Sequence, residues 1–210
     1  MVIVIIIVAL LLLVGLIYVL VRNSLVSLNQ RVSESWSGID VQLKRRHDLV
    51  PNLVETVKGY ATHEQETFEK VTQARAAAMQ ASGPAEASQA EGQLTAALGG
   101  LRVVAEQYPE LRATENFQQL QRQLSELEDE IQASRRIYNS NVQHFNTRIQ
   151  QFPSSIVANQ MGFTEKSYFE ITEPTDREVP EVSFGSSDQA AAPQQAAPPE
   201  PPASPEQSAS

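Results

Sequence analysis

The first 21 residues constrain this chain more than any other part of it. Residues 2–21 carry no charged side chain, and Gly15 is the only one among them that is not apolar. At about 1.5 Å of rise per residue, such a helix covers about 30 Å, the thickness of a hydrocarbon core. A cleaved signal peptide would have a basic segment before the apolar run and a small-residue cleavage site after it. Residues 1–22 are therefore predicted to be a transmembrane anchor, held in the lipid bilayer through residues 2–21.

Basic residues follow this segment and do not precede it. Arg22 and Arg31 come directly after the span, and Lys44, Arg45 and Arg46 lie further along. Lysine and arginine close to a span are retained in the cytoplasm. We therefore expect a single-pass protein of the cytoplasmic membrane, with a short N-terminus outside and the bulk of the chain in the cytoplasm.

The composition of the remaining chain indicates a small core. Without the anchor, about 35% of the residues are apolar, which is below the usual share of a globular protein. The absence of cysteine excludes disulfides, a thiol nucleophile and thiolate-bound metal centres. The net charge of -9 disfavours nucleic acid as a partner, because binding to phosphates needs a basic surface.

Apolar residues at gaps of three and four predict helices in the soluble part. One stripe covers residues 25–43, so the spanning helix is expected to continue into it as one rod. A break is predicted near residue 48, where Asp48 can cap a new helix and Pro51 falls in its first turn. This second helix is expected to run to about Ala81.

Three further signals divide the rest of the domain into helices. Ser82-Gly83-Pro84 is a strong turn signal, and Pro109 is another break. A third helix is expected over 85–107, and a last one over 115–151 with Thr114 as its cap. Because short connections join antiparallel neighbours, the sequence predicts an all-α fold, an up-and-down bundle of long helices.

The C-terminal part divides into two segments. Residues 154–172 are too apolar to be solvated and are expected to dock on the end of the bundle, either their own or a partner's, which completes a helical domain over 23–172. Residues 173–210 hold seven acids, one base and eight of the 12 prolines. Such a composition buries too little apolar surface to offset the entropy of ordering, so this tail is predicted to be disordered.

Several consecutive motifs carry a family resemblance. The longest covers residues 31–61 and includes Trp36, Lys44-Arg45-Arg46-His47-Asp48 and Pro51. It is followed by His63-Glu64, Ala74-Arg75-Ala76, Tyr108-Pro109-Glu110-Leu111, Glu115-Asn116-Phe117, Arg135-Arg136-Ile137-Tyr138-Asn139, Phe152-Pro153, Gly162-Phe163 and Tyr168-Phe169. Over residues 1–172 the chain resembles the LemA family of bacterial membrane-anchored proteins. The resemblance implies an N-terminal transmembrane helix with a short exterior N-terminus and a helical soluble domain. One relative is a magnetosome-formation protein, which implies work in membrane organisation or membrane-protein assembly.

The search for catalytic chemistry finds little. His63-Glu64 begins like a zinc-protease motif, but Thr67 stands where the second histidine would be. His47 and His144 have no partner at ligand spacing, and the chain has no glycine-rich phosphate loop, nucleophile elbow or kinase signature. No catalytic residue, metal ligand or cofactor is predicted, and the chain is not expected to be an enzyme. A metal-dependent hydrolase using carboxylates and His47, His63 or His144 across helices is the alternative.

The densest basic cluster is Lys44-Arg45-Arg46. On a continuous helix it lies about 33 Å beyond Arg22, too far for lipid headgroups to attract it. Two interpretations follow: the cluster complements the dipole at the C-terminus of the first helix, or it contacts a partner protein. Trp36 lies on the apolar stripe of the first helix and is expected to be a core side chain rather than a binding anchor.

Long amphipathic helices without a catalytic constellation favour a scaffold or adaptor. The expected partners are other membrane or envelope proteins, reached through helix faces, and a second copy of the chain. A ligand-sensing membrane module is the alternative of a different class.

Overall fold

The computed structural model describes residues 1–170, and all regular structure in that range is helical. The helices are α1 (Val2–Lys58), α2 (Gln65–Gln80), α3 (Gly83–Glu106), α4 (Pro109–Arg112), α5 (Glu115–Gln150) and α6 (Ser154–Gln160). The predicted all-α class is confirmed. The predicted disorder of residues 173–210, and the end of the predicted domain at 172, lie outside the described residues.

Helix α1 does not break where the sequence predicts. It continues through Pro51, so the expected N-cap at Asp48 is wrong. Proline has no N–H to donate to the carbonyl four residues earlier, which belongs to His47. The side chain of Arg75, on α2, supplies the missing donor, with its Nε 2.7 Å from that carbonyl oxygen. A contact from a distant helix therefore offsets a local helix-breaking signal.

The first break comes instead after Lys58. Both Tyr60 and Ala61 donate their N–H groups to the Val57 carbonyl, at 3.0 and 2.9 Å, which tightens the end of the helix. Ala61 is fully buried, so the connection between α1 and α2 packs against the core. The predicted second helix is consequently divided between the end of α1 and all of α2.

The later boundaries agree with the sequence. Gly83 adopts a φ of +78°, a left-handed conformation that glycine tolerates best, and it opens α3 directly after α2. Thr114 caps α5, because its Oγ1 accepts a hydrogen bond from the Phe117 N–H at 3.4 Å. The predicted third and last helices match α3 and α5 to within two residues.

Helices α1, α2, α3 and α5 run alternately down and up. Arg46 of α1 lies beside Glu128 of α5, and Trp36 lies beside Tyr138, so α1 and α5 are antiparallel. The residue numbers at each of these contacts add up to 174, which gives the register of the pair. The shorter α2 and α3 pack on the half of this pair farther from the apolar N-terminal segment.

The helices enclose two apolar cores. The membrane-distal core contains Val50, Leu53, Val54, Val57, Phe68, Val71, Leu94, Leu101, Val104, Leu111, Phe117 and Leu120, among others. The membrane-proximal core contains Val21, Leu25, Val32, Ile39, Leu43, Ile131, Tyr138, Val142, Phe145, Ile149, Val157 and Phe169, among others. The cores follow one another along α1 and α5, and this order positions the polar site described below.

After α6 the chain returns along its own bundle. Gly162, with a φ of +69°, ends α6, and the Phe163 N–H donates to the Ala158 carbonyl at 3.0 Å. We call the extended residues 163–170 the strap. Phe169 within the strap is fully buried. The C-terminal segment therefore docks on its own bundle, which decides between the two alternatives left open by the sequence.

Two asparagines of α5 hold the strap. Asn139 exchanges two hydrogen bonds with the backbone of Phe169, at 3.0 and 2.9 Å, and Asn146 does the same with Lys166, at 2.9 and 2.8 Å. Seven helical residues rise about 10.5 Å, and three extended residues span about 10 Å, so the two spacings match. The two asparagine side chains thus make the hydrogen bonds to the strap backbone that a neighbouring β-strand would otherwise make.

Tyr138 connects the strap to the membrane-proximal core. Its titration is expected to lower the free energy of unfolding at alkaline pH. Its hydroxyl donates to the Ser167 carbonyl at 2.8 Å, and burial raises the pKa of Tyr138 to about 12. The stability that this neutral phenol contributes is present below about pH 10 and is lost as the pH rises towards 12. Two pH units correspond to about 3 kcal/mol. Denaturant unfolding should show this loss in the natural chain and not in Tyr138→Phe; equal pH profiles would contradict the assignment.

Candidate functional site

Charged side chains are buried between the two apolar cores. We call this group the ionic layer: Arg46 and His47 from α1, Glu91 and Thr95 from α3, and Glu128 from α5. Leu43 of the proximal core and Val50 of the distal core flank the layer along α1. Among residues 1–170, Arg46, His47 and Glu91 are the buried side chains that can carry charge.

Arg46 is the centre of the ionic layer. Its Nη1 lies 3.2 Å from Glu91 Oε2, and its Nη2 donates to Thr95 Oγ1 at 2.8 Å. The same Nη2 lies 3.6 Å from the half-exposed carboxylate of Glu128. The guanidinium therefore joins α1 to both α3 and α5.

His47 uses the other oxygen of the same carboxylate. Its Nε2 lies 2.5 Å from Glu91 Oε1, and because a carboxylate only accepts hydrogen bonds, Nε2 donates. The backbone carbonyl of His47 accepts from Arg75 of α2, as described above. Consecutive residues of α1 thus connect all four long helices at one level of the bundle.

The ionic layer acts on helix register more than on net stability. The desolvation cost of buried charges offsets most of their attraction, so such a group adds little to the free energy of folding. Displacing α1, α3 or α5 along its axis would leave Arg46 or Glu91 buried without its partner. The layer therefore makes sliding of α1 along the other helices energetically unfavourable. Because α1 also contains the apolar anchor segment, the layer fixes the axial position of that segment relative to the domain.

A cavity opens beside the ionic layer. It has a volume of about 250 Å³, and Trp36, Asp40, Lys44, His47 and Met79 are among its lining residues. Lys44 can donate hydrogen bonds, Asp40 can accept them, and Trp36 offers a flat apolar face. The cavity therefore has the polar groups to hold a small anion or a side chain of a partner.

The basic cluster does not mark a helix end. Because α1 continues for 12 residues beyond Arg46, to Lys58, the interpretation of Lys44, Arg45 and Arg46 as a complement to a helix C-terminus is wrong. Arg46 is buried and paired within the chain, whereas Lys44 and Arg45 are exposed. Nη1 of Arg45 lies 3.8 Å from Oε2 of Glu130, which is a long contact between two exposed side chains. The predicted partner contact of this cluster stays a prediction.

The three histidines lie in different environments. His63 and His144 are exposed, whereas His47 is buried in the ionic layer. Within residues 1–170, no group of three histidine, aspartate or glutamate side chains is arranged to hold a metal. That the chain is not an enzyme stays a prediction.

Trp36 lies where the sequence predicts. It is half-buried and lies 5.5 Å, ring centre to ring centre, from both Tyr138 and Phe169, so it belongs to the edge of the proximal core. On the surface of α2, Glu66 and Lys70 form an ion pair at 2.7 Å, and this hydrogen bond lowers the pKa of Glu66.

Sequence reasoning missed Glu91, the residue on which the ionic layer depends. A signal was present, because Glu91 lies on the buried stripe of α3, four residues after Ala87 and three before Leu94. An acid within an apolar stripe needs a buried partner. Glu128 completes the layer from the partly exposed face of α5, where it reaches Arg46.

These features define a class of protein. The apolar segment at the start of α1 is long and apolar enough to cross a bilayer, its residues 2–20 are exposed, and it continues without a break into a four-helix domain. This is the architecture of a helical protein whose N-terminal helix is able to anchor it in a membrane. The model of the LemA family matches residues 35–184, and the chain belongs to that family.

Curated relatives agree with this assignment. The LemA protein of Metamycoplasma hominis is 29% identical over 161 residues, which cover 75% of this chain and 72% of the relative. Magnetosome protein MamQ 2 of Paramagnetospirillum magneticum is 25% identical over 174 residues, and MamQ of Magnetospirillum gryphiswaldense is 24% identical over 173. These two matches cover 70% of this chain and 64% of each relative, so the chain spans slightly less than two thirds of the MamQ proteins.

Proposed function

We propose that this protein is a single-pass scaffold of the bacterial cytoplasmic membrane, whose helical domain lies in the cytoplasm and holds other membrane or envelope proteins. One observation carries the proposal: α1 is a single helix of 57 residues from the apolar segment to the far end of the domain. A rod of this length places binding surfaces at fixed distances from the bilayer, at about 1.5 Å per residue.

The orientation rests on charge. Arg22 and Arg31 follow the apolar segment directly. Positively charged residues beside a span favour the cytoplasmic side. The relatives named magnetosome proteins support a role in organising a membrane structure, and we extend that role to this chain.

The proposed contact surface surrounds the exposed part of the basic cluster. Lys44 and Arg45 lie on α1 with exposed Val41, and exposed Met79 of α2 lies across the cavity from Lys44. Flexible apolar methionine beside basic side chains suits an amphipathic, acidic helix of a partner. Because Arg46 is already paired within the chain, we exclude it from this surface.

Site-specific photo-crosslinking in cells tests the scaffold. A photoreactive amino acid replacing Lys44 is expected to give a discrete adduct with another membrane protein, whereas the same probe at exposed Lys70 is not. The adduct should disappear when Arg45→Glu reverses the neighbouring charge. An adduct of twice the mass of the chain would identify the partner as a second copy. Equal patterns at both positions would contradict this surface.

The cavity beside His47 favours a second function, a ligand-sensing module. Such a module would bind a small anion at Lys44 and transmit the change along α1. Inorganic phosphate or acetate would then raise the melting temperature of the full chain, and Lys44→Ala would remove this increase. A scaffold alone predicts no such shift.

A further inference from the structure

Two large apolar side chains are exposed where α5 turns into α6. Phe152 is 82% exposed and Ile156 is 62% exposed. The packing around them is otherwise regular. Val157 and Ala158, which lie on α6 with Ile156, are buried against the proximal core. Apolar side chains exposed together need a partner surface, and their position in the bundle indicates which surface that is.

The register of α1 and α5 places this turn at the end of the apolar segment. Contacting residues of the two antiparallel helices have numbers that add up to 174, as the Arg46–Glu128 and Trp36–Tyr138 contacts show. Gln150, the last residue of α5, therefore lies level with Ser24, and Phe152 follows in the turn beyond it. Arg22 is the first charged residue after the apolar run, so this turn lies beside the boundary of the hydrocarbon core.

The packing of α6 agrees with that level. Val157 and Ala158 belong to the same buried cluster as Val21 and Leu25, at the junction between the apolar segment and the domain. Ile156 therefore lies on a helix, α6, that packs beside the point where α1 leaves the bilayer.

The charges around the turn suit a membrane surface. Although the chain has a net charge of -9, residues 1–33 and 131–164 contain no acid. Those two segments contain five arginines: Arg22, Arg31, Arg135, Arg136 and Arg148. The nearest acid is Glu165, whose carboxylate accepts a hydrogen bond from Gln150 at 2.6 Å and precedes Lys166. The membrane-proximal end of the domain is therefore basic and apolar, as anionic headgroups require.

We propose that Phe152 and Ile156 insert into the interfacial region of the bilayer and hold the end of the domain against the membrane. The span and the α5–α6 turn then form two attachment points on one rigid bundle. With two attachment points, the tilt of the domain is set relative to the membrane plane, which a single helical anchor does not achieve.

Spin labelling tests this insertion, because the chain has no cysteine of its own. Single cysteines at Phe152 and at Ile156 are labelled with a nitroxide in the full chain, which is reconstituted in vesicles of phosphatidylcholine and phosphatidylglycerol. Oxygen partitions into lipid and a nickel chelate into water, so their collision rates with the label report its depth. Labels at both positions are expected to collide more often with oxygen than with the chelate.

Ile137 provides the matched control. It is 60% exposed, lies on α5, and is level with residue 37, about 22 Å from the bilayer boundary. A label there should collide mainly with the chelate, and a label at Leu10 mainly with oxygen. If labels at 152 and 156 behave like that at 137 while Leu10 stays lipid-exposed, the domain end does not touch the membrane and only the anchor does. Immobilised labels shielded from both reagents would indicate a protein contact and would equally overturn the proposal.

Discussion

Replacing Glu91 with alanine is expected to lower the free energy of unfolding by about 3–5 kcal/mol, because Arg46 would stay buried without its main partner. The carboxylate side chain is only 1% exposed and is the acceptor for both Arg46 and His47. Denaturant unfolding of the full chain in detergent measures the change. Glu126→Ala, at an exposed position of α5, is the control and should stay within about 0.5 kcal/mol of the natural chain.

A combined replacement separates the two roles assigned to the ionic layer. Arg46→Met, His47→Leu and Glu91→Leu together remove the buried charges and leave apolar side chains of similar size. Such replacements are often neutral or stabilising, so most of the stability lost in Glu91→Ala should return. If the triple variant is as unstable as Glu91→Ala, the layer contributes net stability and its assignment to helix register is wrong.

Replacing Phe169 with alanine is expected to detach the strap, at a cost of about 3–5 kcal/mol for a fully buried phenylalanine. The ring packs edge-on against Trp36 at 5.5 Å. Trp36 is the one tryptophan of the chain, so its fluorescence reports this contact without interference. The emission should shift to longer wavelength as water reaches the indole.

Tyr168→Ala is the matched control for the strap. Tyr168 is the neighbouring residue and is 43% exposed, whereas Phe169 is fully buried. Its removal should leave both the Trp36 emission and the unfolding free energy nearly unchanged. An unshifted Trp36 emission in Phe169→Ala would mean that the two asparagine pairs hold the strap without the ring.

Local signals in the sequence predicted much of this fold. The turn at Gly83 and the cap at Thr114 were predictable because each depends on residues next to one another in the chain. The continuity of α1 through Pro51 was not, because the donor that compensates for the proline lies on Arg75, 28 residues away from His47. A local rule fails where tertiary structure supplies the missing hydrogen bond.

Only part of the candidate site could be predicted from the sequence in the same way. Arg46 and His47 were visible as part of a basic cluster, but their partner on α3 depends on how three helices align. A periodic pattern gives the buried face of each helix and not the axial level at which two faces meet. The acid at position 91, on an apolar stripe, was the available clue.

Cysteine labelling in intact bacteria tests whether the helical domain lies at the cytoplasmic face of the membrane. Single cysteines replace Ser140 on α5 and Gln107 after α3, both at exposed positions. The cells are treated with a thiol reagent that cannot cross the cytoplasmic membrane, before or after lysis. Labelling of both cysteines only after lysis is the expected result. Labelling in intact cells would place the domain outside and contradict a cytoplasmic scaffold.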